Sequence, residues 1–304
     1  MRPQAILSAS LFLFLLLALP ASGQVSTILI PAGSPEDQAL QAISNEQDPQ
    51  KRIARYQEFV GQYASNPMAV AYGNWQISQL YLAAGDAAQA LAYGDKAVAA
   101  MPDNLDVLAS QVTVAHQMKD NCKSLHYAAK GGAAYQGIGK QAKPEGLSDQ
   151  DFQMQNQRMR ESSGSTYEYL EAAAYNAIAG ESDAKKRMSY IVEFKKAFPG
   201  PRYQDQVTQF AIISLQQMND RAGVVAFGEK ALSANPDSVT TLLLLSETMA
   251  EDAKTRPKAL EYARKAVALT KGDESSGDPQ KQLLAGSEIN RQIGAARRLD
   301  SFSD

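Results

Sequence analysis

Residues 86–100 read DAAQALAYGDKAVAA, and residues 120–134, which begin 34 positions later, read DNCKSLHYAAKGGAA. Six of these fifteen positions are identical. The same pattern returns at residues 220–234 (DRAGVVAFGEKALSA) and 259–268 (ALEYARKAVA). Self-similarity at a period of this length is typical of repeat architectures, in which each repeat is one supersecondary unit. The sequence therefore predicts a chain of stacked repeats.

Each unit has a helical pattern, because apolar residues recur at intervals of three and four and alanine is abundant. Asp86 and Asp120 stand where an aspartate can cap the second helix of a unit. Pro102 ends that helix, and Asp103 and Asp237 are expected to cap the helices that follow. The unit is therefore predicted to be a helix-turn-helix, and the chain to be all-α.

One unit, residues 71–102, carries a distinctive set of packing residues: Ile77, Ser78, Tyr81, Ala90, Ala97 and Pro102. These occupy the Leu, Gly, Tyr, Ala, Ala and Pro positions of the tetratricopeptide repeat (TPR), and the chain resembles that family. Two positions depart from the family pattern, because Trp75 lies one position late and Gly94 stands where an aromatic residue is usual. The resemblance implies a right-handed α-solenoid of TPR-type helix-turn-helix repeats. It is specific at 71–102, 203–236 and 238–270, weaker at 105–134, and divergent at 34–66 and 165–199.

The repeats are interrupted near the middle of the chain. Residues 137–146 carry Gly, Lys and Pro and are predicted to form a loop. Ser148 is expected to cap a polar helix over 149–161, which the run Ser162-Ser163-Gly164-Ser165 should break. The predicted organisation is a signal peptide (1–23), an extended leader (24–33), an N-terminal TPR-like array (34–135), an insertion loop and polar helix (136–164), a C-terminal TPR-like array (165–271), and a linker with a capping helix (272–304, the helix at 282–299).

Residues 1–23 have the features of a secretory signal peptide. Arg2 gives a positive start, residues 5–19 are apolar except for two serines, and Pro20 precedes the small residues 21–23. The apolar part is short for a membrane span. We therefore expect an exported protein, periplasmic or secreted, with no stable membrane insertion after cleavage. An uncleaved N-terminal anchor is the alternative.

Composition argues against several functional classes. The 30 Lys+Arg and 33 Asp+Glu residues give a net charge of −3, and a pI near 5.6 disfavours nucleic-acid binding. Cys122 is the only cysteine, so no intrachain disulfide can form. His116, Cys122 and His126 have soft-metal character, but Cys122 and His126 replace Ala88 and Ala92 of the preceding unit and are interpreted as packing or surface substitutions. The sequence carries no recognisable catalytic or cofactor motif, so neither enzyme activity, nor a metal site, nor a cofactor is predicted.

The resemblance implies that the first helix of each repeat lines a concave groove that binds a peptide. The groove positions are rich in amide side chains and include one tryptophan, which suits an extended backbone or an amphipathic helix. Trp75 has an alternative place, buried between helices. The family's carboxylate clamp requires Lys and Asn where this chain has Trp75, Gln79 and Ser110, so recognition of an acidic tail is not predicted. The predicted groove residues are Tyr72, Trp75, Gln76, Gln79, Ala109, Thr113, His116, Gln206, Gln209, Ile213, Gln216, Thr240, Leu243 and Glu247.

These features favour an exported, non-catalytic scaffold that binds a protein or peptide partner through the groove. A second hypothesis is an accessory factor in cell-envelope assembly or export, by analogy with other exported repeat proteins. A third is a metal-binding or enzymatic protein that uses Cys122 and His126. The identity of the partner and the oligomeric state stay open at this point.

Overall fold

The computed structural model describes residues 25–273, and the described chain is all-α. Consecutive helices pack as pairs, and each pair contacts the next. The prediction of an all-α, TPR-like solenoid is confirmed. The described residues form twelve helices in six pairs: α1 (Pro35–Ser44) and α2 (Pro49–Gln62), α3 (Pro67–Ala83) and α4 (Ala87–Ala100), α5 (Leu105–Gln117) and α6 (Asn121–Gly137), α7 (Asp149–Ala179) and α8 (Ala184–Ala197), α9 (Gln204–Gln217) and α10 (Arg221–Ala234), and α11 (Val239–Ala250) and α12 (Arg256–Asp273).

The second helices of the clear repeats begin at the predicted aspartates. The carboxylate of Asp86 accepts a hydrogen bond from the Gln89 N–H at 3.0 Å, at the start of α4. Asp120 accepts one from the Lys123 N–H at 2.9 Å, at the start of α6. Each side chain satisfies one of the N–H groups that have no partner in the first turn of a helix.

The first helices of two repeats are capped one residue later than predicted. Asn104, rather than Asp103, has extended backbone angles and accepts the Val107 N–H at 2.9 Å, at the start of α5. Ser238, rather than Asp237, caps α11 in the same way. The N-cap is the residue directly before the first helical turn, whereas Asp103 and Asp237 still lie in the turns that follow α4 and α10.

Helix α7 runs without interruption from Asp149 to Ala179, so the break predicted at 162–165 is wrong and the boundary between 164 and 165 falls inside a helix. Its 31 residues span about 46 Å. Just beyond the expected break, the Tyr167 ring stacks on Tyr135 of α6 at 4.2 Å, and its hydroxyl accepts a hydrogen bond from Gln136. Such packing outweighs the modest helix propensity of Ser and Gly.

The leader, residues 25–33, has no helix or strand and lies against the array. The Val25 side chain is 6% exposed and belongs to the central apolar cluster. The amide of Asn104 donates to the Ser26 carbonyl at 2.7 Å, and the Ser26 N–H donates to the Asp103 carbonyl at 3.3 Å. The leader therefore contacts the turn between α4 and α5.

The apolar core is divided into three clusters along the stack, which share partly buried side chains. Tyr81 packs against both the first and the central cluster, and Met188 and Phe227 pack against both the central and the last.

Within residues 25–273, no helix combines the length and hydropathy needed to cross a membrane. Helix α12 includes Gly272 and Asp273, so the boundary predicted between 271 and 272 falls inside a helix. The predicted signal peptide (1–23) and capping helix (282–299) lie outside the described residues.

Candidate functional site

The first helices of successive repeats lie side by side. Helix α7 contacts α5 and α9, and α9 contacts α11. Side chains on neighbouring first helices also form hydrogen bonds with each other. The Gln79 amide of α3 donates to Ser110 Oγ of α5 at 2.5 Å, and the hydroxyls of Thr113 (α5) and Tyr169 (α7) are 2.9 Å apart. We call the surface formed by α3, α5, α7, α9 and α11 the first-helix face.

The predicted residues of α3 lie together on this face. Tyr72, Trp75, Gln76 and Gln79 are all half-buried. The Trp75 side chain packs against the central cluster, and its Nε1 is fully buried with no hydrogen-bond partner among the described residues. Trp75 therefore packs against the core between helices, as the second interpretation has it, and remains only partly buried.

The predicted residues of α5 are accessible. Thr113 and His116 are exposed, and Ala109 is half-buried. Thr113 also bonds to its own helix, because its hydroxyl donates to the Ala109 carbonyl at 3.2 Å. Its oxygen therefore has a fixed position between α5 and α7, where Tyr169 meets it.

Helices α9 and α11 continue the row. Gln206 and Ile213 are exposed, and Gln209 and Gln216 are half-buried. The Gln216 amide donates to the Thr248 hydroxyl of α11 at 3.3 Å, so α9 and α11 are also connected by side chains.

On α11 the predicted residues divide between the surface and the core. Thr240 is half-buried and Glu247 is exposed. Leu243 is only 5% exposed and belongs to the last apolar cluster, so its prediction as a groove residue is wrong. An apolar side chain at this position gains more from burial against α12 than from exposure to water.

Sequence reasoning missed the contribution of α7 to this face. Tyr169 is 43% exposed, and Asn176, two turns further along, is exposed as well. The sequence analysis predicts no groove residues in the divergent segment 165–199, although one spacing in the sequence points to Tyr169. Three residues each precede a repeat-ending proline by 30 positions: Tyr72 before Pro102, Tyr169 before Pro199, and Gln206 before Pro236.

Of the three residues with soft-metal character, His116 lies on α5, and Cys122 and His126 lie on α6. Cys122 and His126 are exposed. Helix α6, which carries Cys122, packs against α8. Burial raises the pKa of the Tyr190 hydroxyl of α8, and the neighbouring Cys122 and Glu181 side chains raise it further. Within residues 25–273 no three His, Cys, Asp or Glu side chains come together as a possible metal site.

No protein-family model and no curated protein matches the chain. Several solved structures have a similar fold. The MamA protein is 12% identical, with 69% of this chain and 96% of MamA covered and a TM-score of 0.35. YrrB, described as a TPR protein with an unusual peptide-binding site, is 15% identical, with 67% and 86% covered and a TM-score of 0.29. The TPR2AB domain of yeast Sti1, solved as a complex with pHSP90, is 12% identical, with 86% and 95% covered and a TM-score of 0.33. The likeness is one of fold alone.

Proposed function

We propose that this protein is an exported, non-catalytic scaffold that holds a segment of a protein or peptide partner along its first-helix face. The observation that carries the proposal is the row of accessible amide, hydroxyl and aromatic side chains that runs from α3 to α11. Hydrogen bonds between neighbouring helices fix Gln79, Thr113 and Gln216 within this row. Side chains that are already ordered lose little conformational entropy when a partner binds.

The chemistry of the row suits an extended polypeptide. A glutamine amide offers two donors and an acceptor, so it can pair with both the N–H and the C=O of a backbone. Main-chain pairing of this kind gives affinity that depends little on sequence. Tyr72 and Tyr169 add flat, amphipathic surfaces, and tyrosine is enriched among the residues that dominate binding energy at interfaces.

The binding proposal is tested by site-specific photocrosslinking. A photoreactive amino acid replaces Tyr72 or Tyr169 on the first-helix face, and Lys130 or His126, both exposed on α6, in the matched controls. We expect one partner to crosslink from the first two positions and not from the controls. The double variant Trp75→Ala with Gln79→Ala should abolish that crosslink. Crosslinking of the partner from the α6 positions alone would show that binding uses the second helices and would contradict the proposal.

The export proposal rests on the pattern of residues 1–23 and has its own test. The 304-residue chain is expressed in its native host, the cells are fractionated, and the N-terminus of the recovered protein is sequenced. We expect a new N-terminus at Gln24 and recovery outside the cytoplasm. A cytoplasmic protein that retains residues 1–23 would contradict export without affecting the binding proposal.

A further inference from the structure

Basic side chains are distributed unequally between the two helices of each repeat. Helices α1, α3, α5, α9 and α11 contain no Lys or Arg, and neither does α7 beyond residue 165. Every second helix, from α2 to α12, carries at least one. Apart from Arg158 and Arg160 in the first part of α7, no Lys or Arg therefore lies on the helices that form the first-helix face.

Apart from Arg158 and Arg160 of α7, the charged residues among the Lys, Arg, Asp and Glu of the first helices are acidic. Asp106, Asp205 and Glu247 are exposed on α5, α9 and α11. Glu171 of α7 is 3% exposed and is held by Arg202, whose backbone N–H donates to it at 2.6 Å and whose Nε lies 3.4 Å away. The first-helix face thus combines neutral amides with scattered carboxylates.

Three basic side chains on or next to the first helices already have partners. Arg221, the first residue of α10, pairs with Glu251. Arg202, which precedes α9, also pairs with Glu168 at 3.5 Å. In the projecting first part of α7, the Arg160 guanidinium donates to the Ile138 carbonyl. An acidic ligand would have to compete with these partners.

A carboxylate that docks on such a face loses hydration and gains no cation in return, which is unfavourable. A hydroxyl, an amide or a backbone group loses less hydration, and the glutamine amides can replace its hydrogen bonds with water. A lysine or arginine would gain from the scattered carboxylates. The face therefore discriminates between partners by charge as well as by shape.

We infer that the first-helix face binds a polypeptide segment that is free of acidic side chains, carries hydroxyl, amide or basic ones, and is distinguished in this way from acidic segments. This inference rests on the proposed function and specifies the chemistry of its partner. The face would reject an acidic segment because the carboxylates of that segment would be left without a cation. This kind of specificity does not require additional contacts with the preferred segment.

The test is selection from a phage-displayed library of random 12-residue peptides on the protein purified after expression of the complete chain. Bound peptides are sequenced before and after selection. We expect Asp and Glu to be depleted among the enriched peptides. Replacing one central neutral residue of a selected peptide by Glu should weaken its binding by about tenfold.

A charge-insertion variant makes the test specific to the face. Thr113→Lys with Gln206→Lys adds two ammonium groups at exposed positions of the first-helix face, and Ala92→Lys with Ala226→Lys adds the same charge at exposed positions of α4 and α10. We expect the first variant, and not the second, to accept acidic peptides. Circular dichroism verifies that both variants keep the helical fold.

The outcomes separate this inference from the proposed function. Enriched peptides that contain Asp and Glu as often as the starting library would overturn the inference and leave a peptide-binding scaffold. If both lysine variants gained the same affinity for acidic peptides, the inference would also be overturned, because the effect would then reflect the net charge of the protein. Enrichment of no peptide over an empty support would contradict the proposed function itself, and the inference with it.

Discussion

A Cβ atom added at Gly94 would lie 1.8 Å from Oε1 of Gln111, so α4 and α5 can pack as they do only because residue 94 has no side chain. Gln111 is fully buried, and its amide donates to the Leu91 carbonyl of α4 at 3.1 Å. The arrangement recurs between α10 and α11, where a Cβ at Gly228 would lie 2.6 Å from the Leu245 side chain. Gly94 stands where the family that the sequence resembles usually has an aromatic residue, and the close packing of α5 against α4 gives a physical reason for that departure.

Gly94→Ala should therefore destabilise the protein. The added methyl group overlaps both the Cδ and the Oε1 atoms of Gln111, so α5 or the amide must move and the Leu91 hydrogen bond is strained. We expect a loss of about 1–3 kcal/mol in the free energy of unfolding. Urea titration followed by circular dichroism measures it.

Gly164→Ala is the matched control, because Gly164 also lies in a helix and has nothing within 4 Å of an added Cβ. Alanine has the higher helix propensity, so this change should stabilise the protein by about 0.5–1 kcal/mol. Equal shifts of the same sign in the two variants would show that Gly94 does not make the close contact.

The repeat spacing, the helix pairs and the caps at Asp86 and Asp120 could be predicted from the sequence, because each is a local pattern. The continuity of α7 could not. Ser162-Ser163-Gly164-Ser165 is a poor helix sequence, and it stays helical because Tyr167 packs on Tyr135 of a preceding repeat. A contact over that sequence separation leaves no local signal.

Only some residues of the candidate site could be predicted from the sequence. The amides of α3 and α9 follow from the register of the clear repeats, whereas Tyr169 lies in a divergent one. The contact of the leader with Asn104 could not be predicted either, because it joins residues 78 positions apart. The one sequence feature that fits this contact is the residue type of Asn104, because an asparagine amide can cap a helix and donate a hydrogen bond at the same time.

A substitution at Asn104 that removes only its donor group should release the leader and keep the cap of α5. Its Oδ1 accepts the Val107 N–H, and its Nδ2 donates to the Ser26 carbonyl. Asn104→Asp keeps the acceptor and removes the donor. We expect faster proteolysis within residues 25–33 and a loss of about 0.5–1.5 kcal/mol for the single hydrogen bond.

Asn104→Ala provides the comparison, because it removes both functions. We expect the same proteolysis of the leader, together with a further loss of about 1 kcal/mol from the missing cap. Limited proteolysis with mass spectrometry and urea titration measure the two effects. A leader that stays protected in both variants would mean that the Ser26 N–H bond to the Asp103 carbonyl and the burial of Val25 hold it in place without Asn104.

The pair formed by α1 and α2 should weaken in acid. The Lys51 N–H at 3.1 Å and the Gln50 N–H at 2.8 Å donate to the Asp48 carboxylate and hold its pKa below the usual value. Because the folded-state pKa is lowered, the stabilisation is complete above the unfolded pKa of about 3.9 and is lost as the pH falls through the folded value. Hydrogen exchange of the α2 amides, measured at a series of pH values, should show protection falling below about pH 4.

Asp48→Asn separates this effect from general acid denaturation. Asparagine caps a helix about as well as aspartate and does not titrate in this range. The variant should keep the protection of α2 at low pH more fully than the wild type, while α5 behaves alike in both. Identical pH profiles for α2 in the two proteins would assign the acid sensitivity to other carboxylates, such as Glu36, whose pKa is also lowered.

Trp75 contributes to stability through packing rather than through its N–H group. Its Nε1 is buried and has no hydrogen-bond partner within residues 25–273. Trp75→Phe removes this group and keeps most of the ring against the central cluster, so the free energy of unfolding should change by less than about 1 kcal/mol. Trp75→Ala removes the ring as well and should cost about 3 kcal/mol. Urea titration followed by circular dichroism compares the two, and equal losses in both variants would show that the indole N–H does have a partner in solution.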